Sequence, residues 1–327
     1  MLLGGEGSFR LKIPLGLDEF SLEIPPNNLL TWEKIELGRI LFFDKRLSAD
    51  ESISCASCHD TKLAFTDGQV ISKGIKGERG NRNASTIINR LFSSSQFWDG
   101  RSNSLEEQAT LPLMSAHEMG NKSQDDVIRR LKSKKGYREL FQRAFGTQEF
   151  NIDHIAKALA SFERIVMSGN SPFDRFESGG DEKALSESAR QGLKIFRGNA
   201  RCHLCHTGFN FTDELFHNIG VGWRGSEKDS DLGRYLVTKK EEDKGKFKTP
   251  TLRESTRTSP YMHDGSLKTL EDVIDFYDRG GNGNSNLDIE MRPLNLTAQD
   301  KKNLLEFLKS LSGEGWQHIV APDKFPE

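Results

Sequence analysis

The sequence predicts a mostly α-helical protein of two domains built on one plan and related by internal duplication. Three observations carry that reading. Apolar residues recur at helical spacing in six segments, while no stretch alternates convincingly in the manner of a strand. A Cys-x-x-Cys-His pentapeptide occurs once in each half, at Cys55–His59 and Cys202–His206. Residues downstream of the two motifs match at a constant offset of 165.

In chain order, the first helix is expected over 31–42, just ahead of the first motif. After a Gly/Asn/Ser-rich loop at 77–85, helical spacing returns over 124–145 and 152–167. The second half has helices over 185–196 and 267–278 on either side of its motif, then a loop at 280–286. A last helix is expected over 298–311, with Thr297 as N-cap and Leu304, Leu305 and Leu308 on one face.

The offset maps Thr86 on Thr251, Asp99 on Asp264, Gly100 on Gly265, Leu105 on Leu270 and Glu106 on Glu271. Upstream, Gly38 to Phe42 loosely echoes Gly192 to Phe196. The motifs themselves are 147 apart, so the second half carries 18 extra residues between His206 and Thr251. The charged, Gly-bearing stretch 223–247 is their expected site. The domains are placed at 1–168 and 169–327, with a C-terminal tail able to pack back on the first.

Composition excludes several function classes. With 46 basic and 48 acidic side chains in 327 residues, the chain lacks the basic excess typical of nucleic-acid binders. No run approaches the ~20 apolar residues of a membrane helix. Met1–Gly5 lacks the charged and apolar regions of a secretory signal, so a leader is expected to have been removed or replaced.

Cys55, Cys58, Cys202 and Cys205 are the only cysteines, and each pair is closed by a histidine. The CxxCH spacing lets one turn bind a c-type haem through two thioethers and ligate its iron through the adjacent imidazole. A redox CxxC pair or half a zinc site would use the same residues. Two motifs that consume every cysteine favour two covalent haems, with His59 and His206 as proximal ligands. His203 reads as a spacer. The fold class is therefore mostly α, with two cytochrome c-like haem domains.

Leu41-Phe42-Phe43-Asp44, Arg46-Leu47-Ser48, Ser54 through His59, Phe97 through Arg101 and Glu118-Met119-Gly120 form a recognisable set. Thr251-Leu252-Arg253 and Pro260 through Gly265 extend it. With these residues the chain, from about 30 to about 312, resembles the bacterial dihaem cytochrome c peroxidase family, which includes MauG. The resemblance implies a peroxidatic N-terminal haem, a C-terminal haem that relays or stores electrons, and a calcium ion between the domains. It also implies that Gln108 and Glu118 stand in the distal pocket. Splitting a peroxide needs a base that takes one proton and returns it to the leaving oxygen, and a buried carboxylate suits that work. By the same resemblance Trp98 lies between the haems, where its ring can carry electrons or simply pack. Asn83, Thr258 and Pro260 match the family's calcium ligands, the last two through backbone oxygens.

Two positions depart from the peroxidase pattern. Where those enzymes carry a histidine that plugs the peroxidatic iron, Ser72–Gly77 has none, so the first haem is expected to be open. His117, beside Glu118, is the one nearby candidate for a plug. Where they carry an axial methionine, 17 residues on from the calcium-binding proline, Pro260 leads to Tyr277, as in MauG-like members. A tyrosinate oxygen stabilises oxidised iron, whereas a thioether raises the reduction potential. Met262 or Met291 would be the alternative ligands. The offset of 165 places Tyr277 opposite Pro112, which cannot ligate.

These readings imply a periplasmic, hydrogen peroxide-dependent dihaem oxidoreductase with a redox protein partner. MauG-like oxidation of a residue on a partner protein stands slightly ahead. The alternatives are a peroxidase fed by a small cytochrome or copper protein, and a non-enzymatic dihaem carrier.

Overall fold

The computed structural model describes residues 9–327; the Met1–Gly5 segment lies outside the described residues. The N-terminal half contains α1 (Trp32–Phe43), α2 (Leu105–Met114), α3 (Gln124–Lys132), α4 (Lys135–Phe145) and α5 (Ile152–Glu163). There follow α6 (Pro172–Glu177), α7 (Glu187–Arg197), α8 (Tyr235–Thr238), α9 (Leu270–Asp278) and α10 (Ala298–Lys309). A two-residue antiparallel pair, β1 (Phe216–His217) with β2 (Phe247–Lys248), is the one sheet among the described residues. The mostly α expectation holds.

Two departures from the expected elements have physical reasons. The segment 124–145 is two helices, because the spacing from Leu131 to Tyr137 slips out of helical phase and Lys134 is extended (φ −101°, ψ 117°). The helix α2 escapes the periodicity reading because Glu106, Glu107 and Gln108 blur its apolar face and Pro112 lies inside it.

Each half is held by a helix pair whose crossing requires a glycine. In α1, a Cβ on Gly38 would stand 1.9 Å from the Ala158 carbonyl oxygen of α5. In α7, a Cβ on Gly192 would stand 2.0 Å from the Asn303 carbonyl oxygen of α10. One apolar core gathers Leu37, Leu41, Phe42, Phe65, Phe141, Leu159 and Phe162, together with Trp316 and Ile319 from far along the chain. A second gathers Phe173, Leu193, Phe196, Phe211, Ile274, Leu304 and Phe307.

The helix that leads into the second core carries a buried charge. Asp174 in α6 accepts two hydrogen bonds from Arg253, both at 2.8 Å, and neither side chain is more than 1% exposed. Arg253→Met strands the carboxylate and is expected to cost about 3–5 kcal/mol of stability in a denaturant melt. Pairing it with Asp174→Asn, which removes the unpaired charge and keeps an oxygen for the Ser171 N–H and hydroxyl, should recover part of that loss.

Candidate functional site

Both Cys-x-x-Cys-His segments fold into the same tight turn. In the first, the amides of Cys58 and His59 donate to the Cys55 carbonyl at 3.1 and 3.0 Å. In the second, those of Cys205 and His206 donate to the Cys202 carbonyl, the latter at 2.9 Å. One turn therefore presents both sulfurs and the imidazole together.

The imidazoles are then fixed in the same way. His59 Nδ1–H donates to the Phe65 carbonyl and His206 Nδ1–H to the Phe211 carbonyl, each at 3.0 Å. Phe65 and Phe211 both sit in the left-handed backbone region (φ 60° and 53°), an uncommon place for a bulky residue. Thr86 and Thr251 hold these bends by donating to the carbonyls of Ala64 and Asn210, each at 2.7 Å. With the proton on Nδ1, Nε2 keeps its lone pair for a metal. Burial lowers the pKa of both histidines, which favours the neutral, ligating form.

Each turn lines a cavity, of about 410 Å³ around Cys55, Cys58 and His59 and about 230 Å³ around Cys202, Cys205 and His206. Burial pushes the Cys58 thiol up to about 11 and Cys202 to about 12, opposite to the direction a reactive CxxC pair needs. Cys55, Cys58 and His59 do not converge on one point as zinc ligands would. Among the described residues the one such group is Cys205, Asp213 and His217, and both His217 nitrogens are already bonded to Asp288 (2.6 Å) and Asp213 (2.9 Å). The residues present fit two covalently held haems. His203 bonds the Phe196 carbonyl at 3.4 Å, outside the residues lining the second cavity.

The first cavity brings Gln108, Pro112 and Glu118 together with Cys55, Cys58 and His59. Gln108 and Pro112 are one turn apart on α2, and Gln108 Oε1 is buried with no hydrogen-bond partner among the described residues. Burial raises the Glu118 carboxyl above its ordinary value, opposed by a hydrogen bond with Ser115 and by the charges of Arg101 and His117. The His117 side chain is 62% exposed, 3.6 Å from Glu78. Ser72 and Gly74 line the same cavity. That stretch is pinned beneath Glu118: Ile75 N–H donates to the Glu118 carbonyl at 2.9 Å, and a Cβ on Gly74 would stand 2.1 Å from the His117 oxygen.

Trp98 and Asn83 line both cavities. The Trp98 indole donates to the Asn83 carbonyl at 2.9 Å. The Asn83 amide nitrogen donates to the Gln69 carbonyl at 2.7 Å, which turns its oxygen away from that contact. Thr258 and Pro260 line the second cavity with Asn83. Tyr277, in the last turn of α9, lines it too, and its hydroxyl has no hydrogen-bond partner among the described residues. Met262 and Met291 share that cavity.

The family profile for di-haem cytochrome c peroxidase matches residues 32–183. Over 297 residues the chain is 40% identical to methylamine utilization protein MauG of Methylorubrum extorquens, covering 90% of this chain and 82% of that protein. The chain belongs to the di-haem cytochrome c peroxidase family. It is also 38% identical to a cytochrome-c peroxidase, IdrP1, of Pseudomonas sp. strain SCT, covering 88% and 84% of the two chains. The crystal structure of a MauG-like protein associated with microbial copper homeostasis superposes with a TM-score of 0.86 at 32% identity, covering 96% and 98%. Membership makes this a peroxide-dependent di-haem oxidoreductase with two haem c groups, acting with hydrogen peroxide and a redox protein partner. No helix among the described residues is long and apolar enough to cross a membrane.

Several groups at the di-haem site have no signal in the sequence. Arg90 lines both cavities, and Glu163, at the end of α5, lines the first with burial pushing it up to about 8. Both are lone charged residues until the fold places them. The 223–247 stretch lies across the first half. Asp231 pairs with Arg82 at 2.7 Å, Arg234 donates to the Asp99 and Gly100 carbonyls, and Leu236 lines the first cavity.

Proposed function

We propose that hydrogen peroxide reacts at the N-terminal haem, and that oxidising equivalents leave through Trp98 and the C-terminal haem to oxidise a residue on a partner protein. In this reading Cys55, Cys58 and His59 hold the first haem, and Cys202, Cys205, His206 and Tyr277 hold the second. The haem supplies an iron able to take oxidising equivalents from peroxide. The chain supplies the rest. The Gln108 amide orients peroxide, and the Glu118 carboxylate takes a proton from one oxygen and returns it to the other, which leaves as water. Asn83, Thr258 and Pro260 hold calcium beside Trp98, as their oxygen donors suit a hard cation.

The observation that carries the reading is Tyr277, with its unpartnered hydroxyl on the wall of the second cavity. α2 and α9 begin at Leu105 and Leu270, 165 apart, and at matching positions one bears Pro112 and the other Tyr277. This correspondence, with the two glycine crossings and the two matched histidine bends, supports an internal duplication into domains 1–168 and 169–327. The two copies would then have diverged, one presenting Pro112 and the other Tyr277, whose oxygen would help to hold the second haem. Covalent haem attachment in bacteria takes place outside the cytoplasmic membrane, which supports a periplasmic location.

Met262 and Met291 on the same wall favour a second reading, a peroxidase fed by a small cytochrome or copper protein through a methionine-ligated haem. Electron paramagnetic resonance on the diferric protein, before and after one equivalent of peroxide without donor, separates the two. A high-spin and a low-spin signal, both lost on adding peroxide, are expected. Two low-spin signals that peroxide leaves unmoved would mean a plugged first haem and would sink the partner-oxidation reading.

A further inference from the structure

Trp316 lies beyond α10 in sequence, yet it is 4% exposed in the N-terminal core. Its ring meets Phe65 edge-on, with centroids 6.1 Å apart. Phe65 is the residue whose carbonyl accepts the His59 Nδ1 proton. Phe42 closes the group, 6.1 Å from the Phe65 ring and 6.4 Å from the His59 ring. A run of ring contacts thus leads from the proximal face of the N-terminal haem site to an oxidisable indole. The indole Nε1–H is buried without a partner among the described residues. A phenylalanine would fill space there without stranding a donor. Glu314, Gly315, Gln317 and His318 around it in sequence are all exposed, so the buried ring is one residue from solvent.

We propose that Trp316 is a second oxidisable relay of the N-terminal haem, on its proximal side, used when peroxide arrives and no electron donor is docked. The proposal rests on the peroxide reaction and not on which partner is oxidised. Reducing one hydrogen peroxide to two waters consumes two electrons and two protons. One electron leaves the Trp316 indole and crosses the Phe65 and His59 contacts to the N-terminal haem. The other would come through Trp98 from the C-terminal haem, which would lose one electron, and the protons come from solvent. Trp316 becomes a radical cation and keeps its Nε1 proton, because no acceptor is within hydrogen-bonding distance among the described residues. An electron from a donor that docks later restores the indole without any proton movement. A cation that is not restored adds water, loses two protons and gives one further electron to the next peroxide, ending as hydroxytryptophan.

The test uses the full chain with both haems attached, given successive sub-stoichiometric additions of hydrogen peroxide without donor. Haem spectra are recorded throughout and peptides are analysed by mass spectrometry. Hydroxytryptophan is expected at buried Trp316 ahead of Trp32, which is 60% exposed and would be taken first by oxidants in solution. Trp316→Phe should keep the resting haem spectra and bleach several-fold faster per peroxide added, while Trp32→Phe bleaches at the parent rate. Adducts on Trp32 with none on Trp316, or parent-rate bleaching in Trp316→Phe, would overturn the relay alone. Haem spectra that peroxide does not change would remove the peroxide reaction, and the relay with it.

Discussion

Glu118→Gln is expected to slow the reaction with hydrogen peroxide by ~100-fold or more while leaving both haem spectra intact. The substitution keeps the shape of the side chain and removes its ability to exchange a proton. Gln108, on α2, still presents an amide to the same cavity, so binding of a small neutral oxidant should change far less than its cleavage. The pH profile offers a second readout. Burial raises the folded-state pKa of Glu118, and the group works as a base only when ionised. The parent rate should therefore fall as pH drops through that raised value, starting at higher pH than an exposed glutamate would give. Stopped-flow spectroscopy of the first haem checks both points. An E118Q variant with unchanged rates and an unchanged acid limb would remove Glu118 from proton transfer.

Tyr277→Phe is expected to abolish the low-spin signal of the C-terminal haem and to stop peroxide-driven oxidation of the partner protein. The ring and its packing edge-on against Phe276 survive the change, so only the hydroxyl is lost. A ligand lost in this way should appear as a second high-spin signal. Met262→Leu and Met291→Leu are the controls, since both side chains line the same cavity. If Tyr277→Phe leaves the low-spin spectrum intact and one of the methionine variants removes it, the ligand is a thioether. The protein would then be read as a peroxidase fed by a soluble carrier.

Local order was the part legible in the sequence. The two Cys-x-x-Cys-His turns are contiguous pentapeptides, and helices such as α7 and α10 bury apolar faces that recur at 3.6-residue spacing. The offset of 165 reappears as the matching starts of α2 and α9, although α2 itself is invisible to periodicity. Contacts between distant residues were not legible. Nothing near Arg253 announces Asp174, 79 positions earlier, and nothing near His59 announces that a strained Phe65 will supply the carbonyl that orients it. Residue types suggested chemistry at Gln108, Glu118 and Tyr277 only through a resemblance. Their gathering around two cavities depends on loops that no local pattern specifies.

The return of the C-terminal segment to the first core carries a consequence for how the chain matures. Trp316 and Ile319 close a core whose other members end at Val166, 150 residues before Trp316. The Arg46 guanidinium and the Gly136 amide then hold the carbonyls of Pro326 and Glu327. Contacts of such long sequence separation form late and slowly. During synthesis, the polypeptide around the first cysteine pair must wait for residues 316–327 to emerge before its packing is complete. The Phe65 bend that orients His59 touches Trp316 directly, so the setting of this histidine is completed by a residue 251 positions beyond Phe65. A truncation before Trp316, which spares both Cys-x-x-Cys-His turns, is expected to disturb the setting of His59 all the same.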